Sequence, residues 1–179
     1  RDRPAAGVVF QPWVGGDRGT LTYGAVGVGV FGDARPPFGE PGEQAVVAME
    51  PKHAEVGRLR EAAASLGCGA PLISQGCGQN LLRVLRGEAG VFLQAPGASR
   101  WDTCAGEALL TAVGGRVSDL RGRPYQYDQA APSHLNSEGL IAARTQELHA
   151  RAAAALPGQD AASAPGSTAG GSAQRQEAS

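Results

Sequence analysis

The stretch Trp101-Asp102-Thr103-Cys104-Ala105-Gly106-Glu107 places a single carboxylate, that of Asp102, where a strand-like apolar run turns into a helix. The apolar run before it is Val91-Phe92-Leu93. Behind Asp102, small and apolar residues recur at the spacing of one helix face, at Ala105, Ala108, Leu109, Ala112 and Val113. An aspartate at the start of a helix commonly accepts hydrogen bonds from backbone N–H groups. From its residue type alone, Asp102 is therefore expected to cap this helix.

An alternation of strand and helix extends over residues 44–156. Short apolar runs predict strands over 45–49, 71–74, 89–94, 116–120 and 139–143. Helical spacing predicts helices from Lys52 or His53 to Leu66, over 80–86, from Asp102 to Gly114, and over 144–156. Elements in this order are typical of a layered α/β unit, so the predicted fold class is α/β, with a mixed sheet and flanking helices.

The N-terminal segment has a different pattern, which is rich in glycine. Strands are predicted over 7–14 and 21–31, and together they favour an antiparallel hairpin or meander. A proline-rich loop over 33–42 follows. The predicted organisation is the end of an antiparallel sheet plus a linker over 1–42, an α/β domain over 43–156, and a disordered tail over 157–179.

The composition excludes several classes of protein. A net charge of −1 gives no basic surface for a nucleic acid polymer, and no apolar run reaches the length of about 18 residues that a membrane span needs. No secretory signal is visible, and the three cysteines lack the spacing of a zinc module. We therefore expect a cytoplasmic protein with free thiols and no nucleic acid or membrane partner. The start at Arg1 rather than Met suggests a piece of a longer protein.

Two neighbouring motifs resemble those of a known protein family. The first is Trp-Asp-Thr-Cys-Ala, and the second, after an apolar helix, is Ala-Val-Gly-Gly-Arg-Val-Ser-Asp, which ends at Asp119. Together they resemble the closing signature of the inositol monophosphatase-like, magnesium-dependent phosphatases, and within them the 3'(2'),5'-bisphosphate nucleotidases. The likeness runs from about Gly7 to Ala143. It implies the C-terminal part of the layered αβαβα fold of these phosphatases and a Mg²⁺ cofactor. The implied substrate is a small phosphate ester, either adenosine 3',5'-bisphosphate or an inositol phosphate.

The resemblance also assigns roles to individual residues. Asp102 corresponds to a ligand of a catalytic magnesium, and Arg100 stands where the family carries basic residues that could steer phosphate. His53 matches a histidine that contacts the adenylate. Glu50 falls, in a looser alignment, where the family has a threonine that contacts the adenylate, and it is therefore also expected to bind substrate. Trp101 is expected to pack in the core rather than to stack on a substrate, and His149 is expected at the surface.

The loop Gly76-Cys77-Gly78-Gln79-Asn80 matches a Gly-Ala-Gly-Asn-Lys run that contacts the nucleotide. The glycines agree, and Gly76 is therefore expected to touch substrate. The lysine is replaced by Asn80, which is expected to bind substrate at this position although a cation meant for a phosphate is lost. A glycine-rich segment of this length is also an ordinary tight turn between a strand and a helix.

The family's other metal ligands, a glutamate and an Asp-Pro-x-Asp-Gly-Thr motif, are absent from this sequence. Because one carboxylate does not balance the charge of two magnesium ions, we expect little or no phosphatase activity from this chain alone, and no catalytic residue beyond the metal ligand is assigned. The chain would then be a fragment, a truncated product, or a half that needs the missing N-terminal half as a partner. Two alternatives stay open: an inositol (poly)phosphate phosphatase, and a catalytically dead binding or interaction module.

Overall fold

The computed structural model describes residues 3–34, 45–48, 56–67, 71–73, 76–127 and 133–156, with the backbone alone for 45–48. These residues form two sheets, which contain eight strands, and four α-helices. The predicted tail over 157–179 and most of the predicted loop over 33–42 lie outside the described residues. No helix in the described part of the chain combines the length and apolar character that a membrane span requires.

The first sheet is antiparallel and has the order β1-β2-β3, with strands β1 (Ala6–Gln11), β2 (Thr20–Ala25) and β3 (Gly29–Gly32). The prediction of a single strand over 21–31 is therefore wrong. Gly27 has φ of 80°, and the Val28 N–H donates to the Ala25 carbonyl at 3.0 Å. A positive φ is easy for glycine, so the chain reverses here and makes two strands.

The second sheet is mixed, as predicted, and has the order β5-β4-β6-β8-β7. Its strands are β4 (Ala45–Ala48), β5 (Leu72–Ile73), β6 (Val91–Gln94), β7 (Arg116–Ser118) and β8 (Leu140–Ala143). Strand β4 pairs in parallel with β5 and β6, whereas β8 runs antiparallel to β6 and β7. The carboxyl ends of β4, β5 and β6 therefore meet at one edge of the sheet.

The helices are α1 (Val56–Ser65), α2 (Cys77–Arg86), α3 (Arg100–Ala112) and α4 (Gln146–Ala154). Helix α2 begins three residues before the predicted start at Asn80, because Gly76 precedes it at φ of 88° and its carbonyl accepts the Asn80 N–H at 3.1 Å. The predicted start of α1 at Lys52 or His53 lies outside the described residues.

Two separate hydrophobic cores show how the elements are layered. Strand β6 sends Phe92 toward one core, where it packs with residues of α2, α3 and the first sheet. Its neighbours Val91 and Leu93 point to the other core, which α1 and α4 complete. In the described part of the chain, the order of layers is therefore first sheet, α2 with α3, second sheet, and α1 with α4.

Two glycines set the position of α3 between its neighbours. A Cβ at Gly7 would lie 2.9 Å from the carbonyl carbon of Ala105, and a Cβ at Gly106 would lie 2.8 Å from the Cβ of Leu81. Carbon atoms do not approach so closely, so both positions require the absence of a side chain. Strand β1 thus lies directly on one side of α3 and helix α2 on the other, which fixes where the first turn of α3 stands.

Candidate functional site

The loops that carry the predicted site follow parallel strands of the second sheet. Strand β5 leads to Gly76 and α2, and β6 leads to Asp102 in α3. Because β4 pairs in parallel with both strands, these loops open at the same edge. Ligands of α/β sheets bind at this edge. Glu50 and His53, predicted to contact substrate from the loop after β4, lie outside the described residues.

Asp102 is exposed in the first turn of α3. One carboxylate oxygen, Oδ2, accepts a hydrogen bond from the Ser99 backbone N–H at 2.8 Å. The N-cap residue is Ser99 and not Asp102, which is the third residue of α3; Asp102 thus helps to close the start of the helix through a capping box rather than as the cap itself. Its capping bond uses one oxygen, and the side chain stays in contact with solvent. The role of metal ligand stays a prediction.

Helices α2 and α3 meet where Gly106 contacts the Leu81 side chain. These two residues lie one helical turn after Asp102 and Cys77, so the start of α2 after Gly76 faces the start of α3. The link is visible in the pKa of the Cys77 thiol, which burial and then the negative charge of Asp102 raise to about 12. A thiol with that pKa stays protonated near neutral pH and is a poor nucleophile. The structure therefore brings together two of the predicted site segments, and it gives the cysteine between them no catalytic character.

Asn80, which stands at the position of the family's nucleotide-contacting lysine, lies inside helix α2. Its side chain is fully buried, and its Oδ1 accepts a hydrogen bond from Arg83 at 3.1 Å. A substrate could contact this amide only after a local rearrangement. The reason is helical geometry: α2 begins at Cys77, so Asn80 lies one turn inside the helix and on the face that packs into the core.

Arg100 starts α3 but lines a cavity that does not include Asp102. Its backbone N–H donates to the His134 carbonyl at 3.0 Å. The cavity has a volume of about 360 Å³ and is lined mainly by residues of 119–126 and 135–138. Arg100 and Asp102 are therefore close in the chain but border different spaces, and the predicted steering of phosphate by Arg100 stays a prediction.

Asp119 follows strand β7 and forms a turn. Its Oδ1 accepts the backbone N–H groups of Arg121 and Arg123, each at 2.9 Å. Its Oδ2 is 2.7 Å from the Arg123 Nε. Both oxygens are thus engaged within the turn, which leaves Asp119 poorly suited to a second metal-ligand role.

A buried polar network behind the first turn of α3 is not evident from the sequence pattern. The Tyr127 hydroxyl donates to Glu107 Oε2 at 2.7 Å, and Arg3 lies 3.3 Å from the other oxygen of Glu107. Thr103 lies 3.1 Å from the Tyr127 hydroxyl and donates to the Arg100 carbonyl at 3.0 Å. Burial raises the pKa of Glu107 despite these partners. Glu107 lies on the opposite side of the predicted helix from its apolar face, so helical spacing gives no signal of this network.

Two aromatic side chains differ from the sequence-based expectation. Trp101 is 63% exposed and stacks on His134 with ring centroids 4.4 Å apart, so the prediction that it packs in the core is wrong. His149, expected at the surface, is buried and lies 2.8 Å from the Ser118 hydroxyl. Both partners are distant in the sequence, so neither contact follows from local spacing.

Among the described residues, no group of three or more His, Cys, Asp or Glu side chains could hold a metal ion. The residues at the sheet edge therefore fit a divalent cation only in part. Asp102 supplies one exposed, hard oxygen ligand of the type that Mg²⁺ prefers, and Mg²⁺ usually keeps several waters. The remaining protein ligands would have to come from outside the described residues.

Comparison with known proteins agrees with this architecture. The chain is 32% identical to 3'(2'),5'-bisphosphate nucleotidase 1 of Rattus norvegicus over 153 residues, 81% of this chain and 48% of the rat protein. It is 31% identical to the Homo sapiens protein of the same name, over 76% of this chain and 46% of that protein. The chain thus spans about half the length of these curated relatives.

Solved structures show the same fold. Inositol monophosphatase from Anabaena superposes with a TM-score of 0.66 at 21% identity, over 89% of this chain and 62% of that one. The inositol monophosphatase from Zymomonas mobilis also gives a TM-score of 0.66, at 17% identity, over 87% of this chain and 58% of that one. Finally, the sequence model of the inositol monophosphatase family matches residues 1–160. The chain therefore belongs to the inositol monophosphatase family.

Proposed function

We propose that this chain provides the Asp102 side of the active site of a magnesium-dependent phosphatase that acts on 3'(2'),5'-bisphosphate nucleotides. Family membership and the names of the rat and human relatives support a phosphatase. The observation that carries the proposal is the position of Asp102. Its carboxylate is exposed at the start of α3, above the carboxyl edge of the second sheet and next to the start of α2.

The described residues would contribute one metal ligand and the groups that position it and the phosphate. Asp102 would hold a divalent cation, which when bound supplies an activated water and stabilises the leaving oxygen. Ser99 orients the carboxylate through its backbone N–H. The first backbone N–H groups of α3 carry partial positive charge, which favours a phosphate nearby. Gly76, with its positive φ, allows α2 to begin close to the same place.

A complete site needs more acidic ligands than the described residues bring together. Phosphoryl chemistry with two metal ions uses several carboxylates to clamp both the attacking and the leaving oxygen. We therefore expect residues 1–179 to have little or no activity by themselves and to work with a segment that carries the other ligands. A binding module without catalysis is the interpretation that remains if such a segment is not found.

An inositol phosphatase is the second candidate, and Asn80 favours it. The nucleotidases that the sequence resembles carry a nucleotide-contacting lysine at this position, whereas the Asn80 amide here is buried and bonded to Arg83. With that cation absent, preference for a nucleotide rests on residues after β4 that the structure does not describe, His53 among them.

The test uses a chimera in which residues 1–179 replace the matched half of rat 3'(2'),5'-bisphosphate nucleotidase 1. Phosphate release from adenosine 3',5'-bisphosphate and from inositol bisphosphate is measured with and without Mg²⁺. We expect Mg²⁺-dependent release, faster with the nucleotide, and a loss of at least about a hundredfold in Asp102→Asn. The matched control is Asp17→Asn, an exposed carboxylate in the turn before β2. An active chimera that is indifferent to Asp102→Asn would refute the assignment, and faster release from the inositol substrate would favour the second candidate.

A further inference from the structure

The segment that leads into helix α3, residues 97–100, is paired with a distant segment that precedes strand β8. We call residues 97–100 the α3 entrance. Asn136 contributes both of its backbone groups to the pairing. Its N–H donates to the Ala98 carbonyl at 2.7 Å, and its carbonyl accepts the Gly97 N–H at 2.9 Å. Backbone groups outside helices and strands need such partners, so the course of the α3 entrance depends on residues 134–136.

The pairing continues up to the first residues of α3. Ser99 and Leu135 form an antiparallel bridge, and the Arg100 N–H donates to the His134 carbonyl at 3.0 Å. Next to this bond, the Trp101 ring stacks on the His134 ring with centroids 4.4 Å apart. The start of α3 is therefore in contact with the second segment through both backbone and side-chain groups.

The side chain of Asn136 closes the turn that follows the pairing. Its Oδ1 accepts the Glu138 N–H at 2.9 Å, and its Nδ2 donates to the Gly139 carbonyl at 2.6 Å. Asparagine suits this task because its amide carries an acceptor and a donor together. Asparagine side chains also commonly bond the backbone two residues further on. One side chain thus fixes the chain from residue 136 to residue 139.

The far end of this turn is firmly placed at the second sheet. Gly139 is buried and has φ of 67°. A Cβ there would lie 2.7 Å from the Leu120 Cγ and 2.6 Å from the Gln94 carbonyl oxygen, so the Gly139 backbone is tightly enclosed. The Leu120 N–H also donates to the Glu138 carbonyl at 3.1 Å. Asn136 is therefore bonded to a well-packed part of the protein on one side and to the α3 entrance on the other.

The α3 entrance in turn orients the proposed metal ligand. The Ser99 N–H donates to Asp102 Oδ2 at 2.8 Å, and the Asp102 N–H donates to the Ser99 carbonyl at 3.0 Å. Asn136 lines the cavity of about 360 Å³, and the lining of that cavity does not include Asp102. An effect of Asn136 on a cation at Asp102 therefore passes through the backbone of the α3 entrance.

We propose that Asn136 is a positioning residue for the metal ligand Asp102. Its amide fixes the turn before β8, and its backbone groups fix the place of the α3 entrance, where the Ser99 N–H orients the carboxylate. Groups that orient a metal ligand without contacting the metal have large effects on metal affinity. The inference rests on the proposed function, because Asn136 has this task only if Asp102 holds a cation.

The experiment measures the affinity for Mn²⁺ in the chimera of residues 1–179 with the unmatched half of the rat nucleotidase. Mn²⁺ replaces Mg²⁺ because it prefers the same oxygen ligands and is detected directly by electron paramagnetic resonance. Asn136→Ala removes both side-chain bonds of the turn and keeps the backbone. We expect the Kd of the Mn²⁺ site that Asp102→Asn removes to rise by about three- to tenfold in Asn136→Ala.

Phosphate release separates this role from contact with the substrate. The Mg²⁺ concentration that gives half of the maximal rate should rise in Asn136→Ala in parallel with the Kd for Mn²⁺. The KM for adenosine 3',5'-bisphosphate should stay within about twofold of the unaltered chimera. A residue that binds the substrate would instead raise the KM and leave the Kd for Mn²⁺ unchanged, and this result would overturn the inference.

Amide hydrogen exchange without metal gives a readout that does not depend on activity. Asn136→Ala should speed exchange at the Gly97 and Arg100 N–H groups by at least about tenfold, because the α3 entrance opens more often. Ser137→Ala is the matched control in the same turn. Its side chain is exposed, and its hydroxyl lies 3.4 Å from a carboxylate oxygen of Glu138. Ser137→Ala should change neither the Kd nor the exchange.

Ser118→Ala controls for a general loss of stability, because it removes the buried bond to His149 at a distance from the α3 entrance in the sequence. It should lower the midpoint of urea unfolding and leave the Kd for Mn²⁺ unchanged. A rise in the Kd as large as that of Asn136→Ala would overturn the inference, since the effect would then follow stability alone.

The remaining outcomes separate the inference from the proposed function. If Asp102→Asn leaves Mn²⁺ binding unchanged, the proposed function fails and the inference fails with it. If Asp102→Asn removes a Mn²⁺ site but a folded Asn136→Ala keeps the original Kd, only the inference fails. Should Asn136→Ala not unfold cooperatively in urea, the milder Asn136→Ser takes its place, and its Kd should rise at least about twofold. An unchanged Kd in Asn136→Ser would then overturn the inference.

Discussion

The Asp102 carboxylate accepts the Ser99 backbone N–H at 2.8 Å, so one oxygen of the proposed metal ligand is also part of the start of helix α3. The two roles separate by substitution. Asn keeps an oxygen that can accept the Ser99 N–H but loses the charge, whereas Ala loses both. We expect Asp102→Ala to lower the free energy of unfolding by about 1 kcal/mol and Asp102→Asn by less than about 0.5 kcal/mol, measured by urea denaturation. Equal losses in the two variants would show that the charge, not the cap, stabilises the helix.

Tyr127 and Tyr125 allow a matched test of how much the buried hydrogen bond to Glu107 stabilises the protein. Tyr127→Phe removes the donor to Glu107 and leaves a buried carboxylate with less compensation, so we expect a loss of about 1–3 kcal/mol in the free energy of unfolding. Tyr125 is buried too, but its hydroxyl has no hydrogen-bond partner among the described residues. Tyr125→Phe should therefore be neutral or stabilising. Urea denaturation of both variants tests the contrast, and similar losses would mean that the Glu107 bond contributes little.

Sequence pattern predicts the fold class well because it depends on the period of apolar residues. The strand over 91–94 and the helix behind Asp102 are found close to where the spacing puts them. The failure at 21–31 has a local cause, since a glycine-rich run gives no side-chain signal that separates a continuous strand from two strands joined at Gly27. The start of α2 escapes prediction for a similar reason, because Gly76-Cys77-Gly78 is compatible with both a turn and a first helical turn.

The candidate site is predicted less completely, because burial and partners depend on tertiary packing. Asp102 is exposed at the sheet edge, as a ligand must be, but Asn80 points into the core once α2 docks on α3. The Glu107–Tyr127 bond joins residues separated by 20 positions, and Ser118–His149 joins residues separated by 31. The periodic spacing of residues within one helix or strand carries no information about such distant pairs, so they are seen only in the folded chain.

Because His149 is buried, we expect the free energy of unfolding to fall in mild acid. Burial, and then the positive charge of Arg116, lower the pKa of His149 to about 4, against an ordinary value of 6.5. The unfolded chain therefore binds the proton first as the pH falls. The stabilisation is complete above about pH 6.5 and is lost between there and about pH 4, by up to about 3 kcal/mol.

The variant His149→Gln tests this dependence, because its amide can still donate to Ser118 but does not titrate. We expect it to be somewhat less stable near neutral pH and to have a flatter decline between about pH 6.5 and pH 4. Free energies of unfolding from urea titrations at several pH values give the measurement. An unchanged acid slope in His149→Gln would assign the decline to other groups.

Gly106 lies in helix α3, but we expect its replacement by alanine to lower the stability of the protein, which is the opposite of the usual effect inside a helix. Replacing glycine by alanine inside a helix normally stabilises it by up to about 1 kcal/mol. At Gly106 the new Cβ would lie 2.8 Å from the Cβ of Leu81, so we expect Gly106→Ala to destabilise the protein by about 1–3 kcal/mol. A Cβ added at Gly57 in α1 would meet no described atom within 4 Å, so Gly57→Ala is the control and should be neutral or stabilising. Urea denaturation measures both. The double variant Gly106→Ala, Leu81→Ala should lose less than the sum of its parts, because it removes the Leu81 Cγ, which lies 3.0 Å from the new Cβ, and the still nearer Cδ1, and so relieves part of the clash between α2 and α3. Strict additivity would mean that the two helices do not meet at these residues.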